Sequence, residues 1–341
     1  MDGLKLLRRR FNPISALAVL AVLLLAPRAG LARVILISID GLRPDAIDLA
    51  DTPNLDSLIA TGSYSALAQC ELPPATLPNH TTMLTGVSVE THGVWFNTQV
   101  EGKVGVRTLH DEIADAGMRT GFFASKGKLG YIAHEESIET FELRGTIVEL
   151  TDLVVEQIAN DPLDFIFFHS RQPDSTGHQF GWLSDEYLAA IELADEQVGR
   201  ILDAIDDAGL DDVNVLVTGD HGGEGMTHIF NVPAVRLIPW IANGPDIAVG
   251  RTLCSEIHQR DMAATVLALF DLPIPESYEG EPIVEAFKDT PQTQCDPVAP
   301  ILGPPCLILL IPAVGFMGLW FAWGKWRRSH AVPELYKPAA E

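Results

Sequence analysis

Seven side chains in this sequence have the types and positions to hold divalent metal ions and to use them. Asp40 follows the apolar run of residues 34–39 (VILISI), Asp174 and His178 stand four apart after the run of residues 163–168, and Asp220 and His221 follow the run of residues 213–218. His228 comes soon after, in a glycine-loosened loop. The seventh is Thr76, within PPATLPNHTTMLTG, a tight entry into a helix whose first turn is expected from Pro78, Asn79 and His80. A hydroxyl at that point faces unpaired backbone N–H groups and the positive end of the helix dipole, which favour an alkoxide or a phosphoryl oxygen. Alone, Thr76 reads as an ordinary helix cap; the company it keeps points to chemistry. Asp and His ligands without cysteine suit two catalytic zinc ions, with manganese second. Three carboxylates and a threonine alkoxide balance two divalent cations, leaving a site able to accept an anion. Such paired ions serve in-line displacement at phosphorus. Asp174 and His178 supply two ligands of the second ion, so a third histidine is needed; His228 is expected, with His258 as the alternative.

The elements that must position these residues are legible as alternating apolar strands and helical segments. Strands are expected at residues 34–39, 120–124, 163–168, 213–218 and 235–241. Helices are expected at residues 53–59, 108–116, 150–158, 184–208 and 260–270, besides the one entered at Thr76. Residues 87–97, 125–147 and 171–178 read as loops. This alternation implies an α/β fold, a doubly wound, mostly parallel sheet with helices on both faces, and it brings Asp40, Asp174 and Asp220 to one carboxyl edge.

Both ends of the chain fall outside that body. Residues 1–32 carry Lys5, Arg8, Arg9 and Arg10, then an apolar run and Gly30-Leu31-Ala32, the pattern of a secretory signal peptide, or of an uncleaved anchor. Residues 33–290 form the expected catalytic domain and 291–305 a linker. Residues 306–324 form an expected C-terminal transmembrane helix, with Lys325, Arg327 and Arg328 opening a cytoplasmic tail of residues 325–341. This topology puts the body outside the cytoplasm, tethered to the membrane. The body holds 14 basic against 43 acidic residues, a surface that repels nucleic acid duplexes. Of the four cysteines, Cys254 and Cys295 are the expected pair.

The combination Ile39-Asp40-Gly41-Leu42-Arg43, Ala75-Thr76-Leu77-Pro78-Asn79-His80, Thr85-Gly86, His92-Gly93, Pro173-Asp174-Ser175-Thr176-Gly177-His178 and Asp220-His221-Gly222-Gly223 resembles the alkaline phosphatase superfamily, in particular its type I phosphodiesterase/nucleotide pyrophosphatase branch. The resemblance spans residues 33–287. It implies that Asp40, Thr76, Asp220 and His221 hold one metal, and that Asp174, His178 and a third histidine hold the other. Asn97 would bond a phosphoryl oxygen, and Thr76 would attack phosphorus to give a phospho-threonine that water then hydrolyses. The implied substrate is a small phosphodiester or pyrophosphate. Rival readings are a phosphomonoesterase, a phosphonate hydrolase or a phosphotransferase of the same architecture, and, more remotely, a non-catalytic binding ectodomain. Leu77 and His169 stand where nucleotide-hydrolysing members of the branch carry base-stacking aromatics, which weakens the case for nucleotides. Diesters are expected to be preferred over monoesters, because a dianion needs positive charge beyond two metals and these loops offer only Arg43 and Arg171. Asn79-His80-Thr81 matches a glycosylation pattern but lies behind the nucleophile, where it is expected to be unused.

Overall fold

A computed structural model describes residues 32–293. The expected membrane helix and cytoplasmic tail, Cys295, and all but the inner ends of the expected signal peptide and linker lie outside the described residues. Among those described, no helix is long and apolar enough to cross a membrane. Cys254 is disulfide-bonded.

Eight strands form one sheet: β1 (Arg33–Ile39), β2 (Ser63–Gln69), β3 (Thr120–Ala124), β4 (Thr140–Leu143), β5 (Phe165–Ser170), β6 (Val213–Thr218), β7 (Leu237–Asn243) and β8 (Arg251–Thr252), in spatial order β4-β3-β5-β1-β6-β7-β2-β8. The five strands from β4 to β6 pair in parallel. Only β7 is reversed, pairing antiparallel with β6 and β2. β1 lies at the centre, and its β-branched alternation feeds both faces. Val34 and Leu36 enter one core with Leu77, Met83 and Leu84 of α2 (Thr76–Thr85), Leu109 and Ile113 of α3 (Leu109–Asp115), and Met262 and Val266 of α7 (Asp261–Leu269). Ile35, Ile37 and Ile39 enter the other. They pack there with Leu55 and Leu58 of α1 (Pro53–Thr61), Leu150 and Val154 of α4 (Ile147–Asn160), and Ile191, Val198 and Ile201 of α6 (Asp185–Asp207). A strand buried on both faces must be apolar throughout, and this is the reason the run of residues 34–39 is legible as a central parallel strand.

Four local readings are corrected. The segment carrying Asp174 and His178 is a helix, α5 (Gln172–Phe180), and not a loop. Pro173 occupies its first turn, where a missing N–H leaves no hydrogen bond unmade. Residues 125–147 contain two short 3-10 turns, Gly127–Tyr131 and Glu135–Ser137, and the edge strand β4. β2 lacks a sequence signal of its own: its half-polar SYSALAQ is held as a strand by β7. The nucleophile helix α2 begins at Thr76 itself, two residues earlier than Pro78.

Candidate active site

Parallel strands deliver the site residues to one edge. Asp40 follows β1, which lies between β5 and β6, and its N–H bonds the Ser170 carbonyl while its own carbonyl accepts the Asp174 N–H, both at 2.9 Å. Asp220 follows β6. One of its oxygens, Oδ1, accepts two backbone N–H groups, from Gly41 and His221, each at 3.0 Å. Its other oxygen, Oδ2, has no hydrogen-bond partner. The same is true of Asp40 Oδ1, Asp174 Oδ1 and His221 Nε2, all buried. A buried polar atom without a partner costs on the order of 1–3 kcal/mol, so four of them at one sheet edge require a ligand they can share.

The histidines fix the nature of that ligand. His221 Nδ1 bonds the Gly222 carbonyl at 2.8 Å, His228 Nδ1 the Pro74 carbonyl at 2.6 Å, and His178 Nδ1 the Met226 carbonyl at 3.0 Å. A carbonyl only accepts, so each Nδ1 carries the proton and each Nε2 presents a lone pair. Such backbone anchoring of the far nitrogen is the arrangement found behind metal-bound histidines. His221 Nε2 lies 3.6 Å from Asp40 Oδ1 and 3.4 Å from Asp220 Oδ2. His178 Nε2 is 3.4 Å and His228 Nε2 3.8 Å from Asp174 Oδ1. Two ligands at about 2.0–2.1 Å in a tetrahedral shell are separated by roughly 3.3 Å, so these gaps suit a shared cation better than hydrogen bonds. The ligand atoms of Asp40, Asp220 and His221 lie within 4.8 Å of one another, as do those of Asp174, His221 and His228. The donor set therefore fits two divalent ions, with His221 within reach of both groups and His178 at the exposed rim.

Thr76 is buried as the first residue of α2, behind the N-cap Ala75. Asn97 is brought alongside: its side-chain oxygen accepts the Leu77 N–H at 3.0 Å and Lys128 Nζ at 2.9 Å, which leaves the amide N–H₂ as its free donor group. Behind the ligands lies a second buried layer. His80 bonds the Thr76 carbonyl through Nδ1 and Ser38 through Nε2, and His169 Nε2 lies 3.0 Å from Asp40 Oδ2. His169 thus orients a ligand from within the core. Burial pushes the Asp40 carboxyl up, but Lys126 and the His169 hydrogen bond outweigh it and hold it well below the usual range. Burial and the charge of Asp40 raise Asp220. Burial holds His228 down to about 4, in keeping with a neutral ligand.

Other expected residues go elsewhere. Arg43 bonds Asp45 and the Gly223 carbonyl, and Arg171 bonds Ser175. His258 lies elsewhere: its backbone N–H donates to the Asp261 carboxylate at 2.7 Å, and its ring lies 3.3 Å from Glu256. Asn79 is fully buried and stitches its amide to the Glu71, Pro73 and Ala75 carbonyls, so it serves as a staple of the loop before Thr76.

The pattern of "Type I phosphodiesterase / nucleotide pyrophosphatase" matches residues 34–116 and 131–266. The chain belongs to this family. Among similar proteins, the human ectonucleotide pyrophosphatase/phosphodiesterase family member 7 is 30% identical over 251 residues, covering 62% of this chain and 54% of that one. The venom phosphodiesterase of Naja atra is 26% identical over 222 residues, 57% of this chain and 26% of its own. The chain spans about half the length, or less, of these family relatives. In fold it is similar to murine ectonucleotide pyrophosphatase/phosphodiesterase 5, with a TM-score of 0.61 at 17% identity over 72% of this chain and 97% of that one. It is equally similar to a 2-O glycosaminoglycan sulfatase, with a TM-score of 0.64 at 15% identity over 78% and 76%. The family match omits residues 117–130, and there the structure adds the residue that sequence reasoning missed. Lys126 Nζ lies 2.7 Å from Asp40 Oδ2, 2.6 Å from Asp174 Oδ2 and 3.2 Å from Thr76 Oγ1. Its signal was available: Ser125-Lys126-Gly127-Lys128 follows the carboxyl end of β3, as the other site residues follow theirs.

Proposed function

We propose that this protein is a two-metal hydrolase of small phosphate esters of the phosphodiester and pyrophosphate class, with Thr76 as nucleophile. The observation that carries the reading is the set of unpartnered metal-facing atoms on Asp40, Asp174, Asp220 and His221, gathered beside a buried threonine at a helix start. Asp40, Asp220 and His221, with Thr76, would hold one ion, and Asp174, His178 and His228 the other; zinc suits this donor set. Bound there, the ions supply the Lewis acidity that ionises the threonine hydroxyl and draws charge from the phosphoryl oxygens. The chain's own residues do the rest. Thr76 Oγ forms a bond to phosphorus while the bond to the leaving oxygen breaks, and water later displaces Thr76 from the phospho-threonine. The Asn97 amide donates to a non-bridging oxygen, held in place by Leu77 N–H and Lys128. His80 and Ser38 fix the first turn of α2 from behind, so the nucleophile needs no reorientation before attack.

We further propose that the catalytic body stands outside the cytoplasm, tethered by residues 306–324. Protease added to intact cells should remove residues 33–304 and spare a tag placed after Glu341; loss of the tag instead would reject this topology. The hydrolase reading is tested by replacing Thr76. Thr76→Ala should keep fold and bound metal yet lose turnover by on the order of 10³-fold or more, and near-normal turnover would reject it.

A further inference from the structure

Phe165, Phe167 and His169 alternate onto one face of β5, and the two phenylalanines pack in the core that also holds Leu77 of α2, so the third position of an apolar row carries an imidazole. His169 is fully buried, and its partners in the sheet are Ser38 of β1 and Ala124 of β3. Its protonation is fixed from both sides. On one side the Ser125 backbone N–H, which can only donate, approaches Nδ1 at 3.4 Å, while the Ser125 hydroxyl gives its own proton to the His169 carbonyl at 3.0 Å. On the other, Nε2 lies 3.0 Å from Asp40 Oδ2, a carboxylate oxygen that only accepts. His169 is therefore the Nε2–H tautomer, and its one N–H is committed to Asp40.

The three carboxylates of the site share one arrangement: one oxygen is occupied by protein donors and the other has none. In Asp220, Oδ1 accepts the Gly41 and His221 N–H groups and Oδ2 is unpartnered. In Asp174, Oδ2 accepts Lys126 Nζ and Oδ1 is unpartnered. In Asp40, Oδ2 accepts His169 Nε2 and lies 2.7 Å from Lys126 Nζ, and Oδ1 is unpartnered. A carboxylate held in this way offers a cation a single oxygen, which suits four-coordinate zinc; cations of higher coordination number often take both. We propose that His169 is a positioning residue for the metal: by holding Oδ2 from inside the core it makes Asp40 a one-oxygen ligand, and so sets the affinity and the coordination number of the site formed with Asp220 and His221. The inference rests on the two-metal reading above and concerns what orients one of its ligands. Lys126 is less able to do this, because its ammonium group is divided among Asp40, Asp174 and Thr76 and constrains no single carboxylate. His169 has Asp40 as its only acceptor. Its ring is also wedged in place, edge-on to the His80 ring with centroids 4.8 Å apart and planes at 74°.

The test measures bound metal and not turnover. Zinc is withdrawn from the loaded full chain by a graded series of a competing chelator, for the wild type, His169→Gln and His169→Phe. Gln brings an amide N–H close to the place of Nε2, whereas Phe continues the apolar row and removes the donor. The wild type should hold two ions. His169→Phe should weaken one of them on the order of 10- to 100-fold, as loss of a group that orients a metal ligand does, and His169→Gln should keep most of the affinity. Cobalt(II) loaded in place of zinc gives a readout that a mere packing defect would not move. Four-coordinate cobalt absorbs strongly in the visible and ions of higher coordination number weakly, so the absorbance per bound ion should fall in His169→Phe and persist in His169→Gln. Unchanged zinc affinity and cobalt spectrum in His169→Phe, or equal losses in Phe and Gln, overturn the proposal. If His169→Phe does not fold, His169→Asn decides in its place. Its shorter amide reaches the Ser125 side and not Asp40, so it should show the loss that Gln avoids, and identical behaviour of Asn and Gln overturns the proposal. A wild-type chain that takes up fewer than two zinc ions would instead reject the two-metal reading, so the two failures are distinguishable.

Discussion

Gly41 is not a ligand, yet replacing it with alanine should cripple the site. Its φ is +78°, a region that costs an L-residue roughly 1–2 kcal/mol. A methyl group there would lie 2.9 Å from Asp174 Cα, 3.0 Å from Asp174 Cβ and 3.1 Å from Asp174 N, with ordinary contact beginning near 3.4 Å. These are backbone and ligand atoms at the first turn of α5, so relief means moving that turn away from the end of β1 by several tenths of an ångström. The turn resists, because the Asp174 N–H bonds the Asp40 carbonyl, and the Gly41 carbonyl accepts Tyr187 Oη at 2.7 Å and Trp182 Nε1 at 3.1 Å. Overpacking of this kind costs about 1–3 kcal/mol, so the total destabilisation should be roughly 2–5 kcal/mol. Displacing Asp174 from Asp40 and Thr76 disturbs the second metal group, and misplacement approaching an ångström costs on the order of 100-fold in rate. Gly93→Ala separates the two causes. Gly93 also has a positive φ, +71°, but nothing lies within 4 Å of its missing Cβ. It should lose about 1–2 kcal/mol of stability and keep its activity. The assay is urea unfolding, bound zinc and kcat/KM for all three proteins. Gly41→Ala with two tightly held ions and activity within about threefold of wild type would refute the reasoning.

The remaining predictions concern the ligands and the core. His228→Ala should lower bound zinc from two ions per chain toward one, whereas His258→Ala should leave two; elemental analysis after dialysis decides, and the reverse result would reassign the third histidine. His110 is buried against the rings of Phe122 and Phe165, and burial holds its imidazole down to about 4 from a usual 6.5. Because the folded value is depressed, the unfolded chain takes up the proton first. Stability is therefore full above about 6.5 and is lost as pH falls toward 4, by up to roughly 3 kcal/mol. His110→Phe should flatten that part of the unfolding free energy against pH, and an unchanged slope would exclude His110 as the source.

What the sequence made legible follows from burial. β1, β5 and β6 are apolar on both faces, so their runs stand out, and the Asp residues that follow them stand at the edge where an α/β sheet binds its ligands. Asp174 and His178 were recognisable as a ligand pair while their helix was not, because Pro173 and Gly177 read as breakers. Pro173 is harmless in a first turn, and Gly177 is required by the Trp182 ring, 2.7 Å from where its Cβ would be. β2 exists through pairing: its burial alternates irregularly and its register with β7 shifts between Ser65 and Ala68, which blurs the period a strand should show. Lys126 was passed over because a lysine usually marks solvent. Here three acceptors converge on its ammonium group, a fact of tertiary geometry that residue type does not disclose.

The central claim is that Thr76 bonds covalently to phosphorus during turnover. Zinc-loaded protein mixed with para-nitrophenyl phosphate, quenched in acid within the first turnover and digested, should yield the peptide containing Thr76 carrying one added phosphoryl group, with fragmentation placing it on that threonine. The modification should be absent from Thr76→Ala protein. Active enzyme that shows product release with no phosphorylated Thr76 at any quench time, or the group on another residue, would contradict the account.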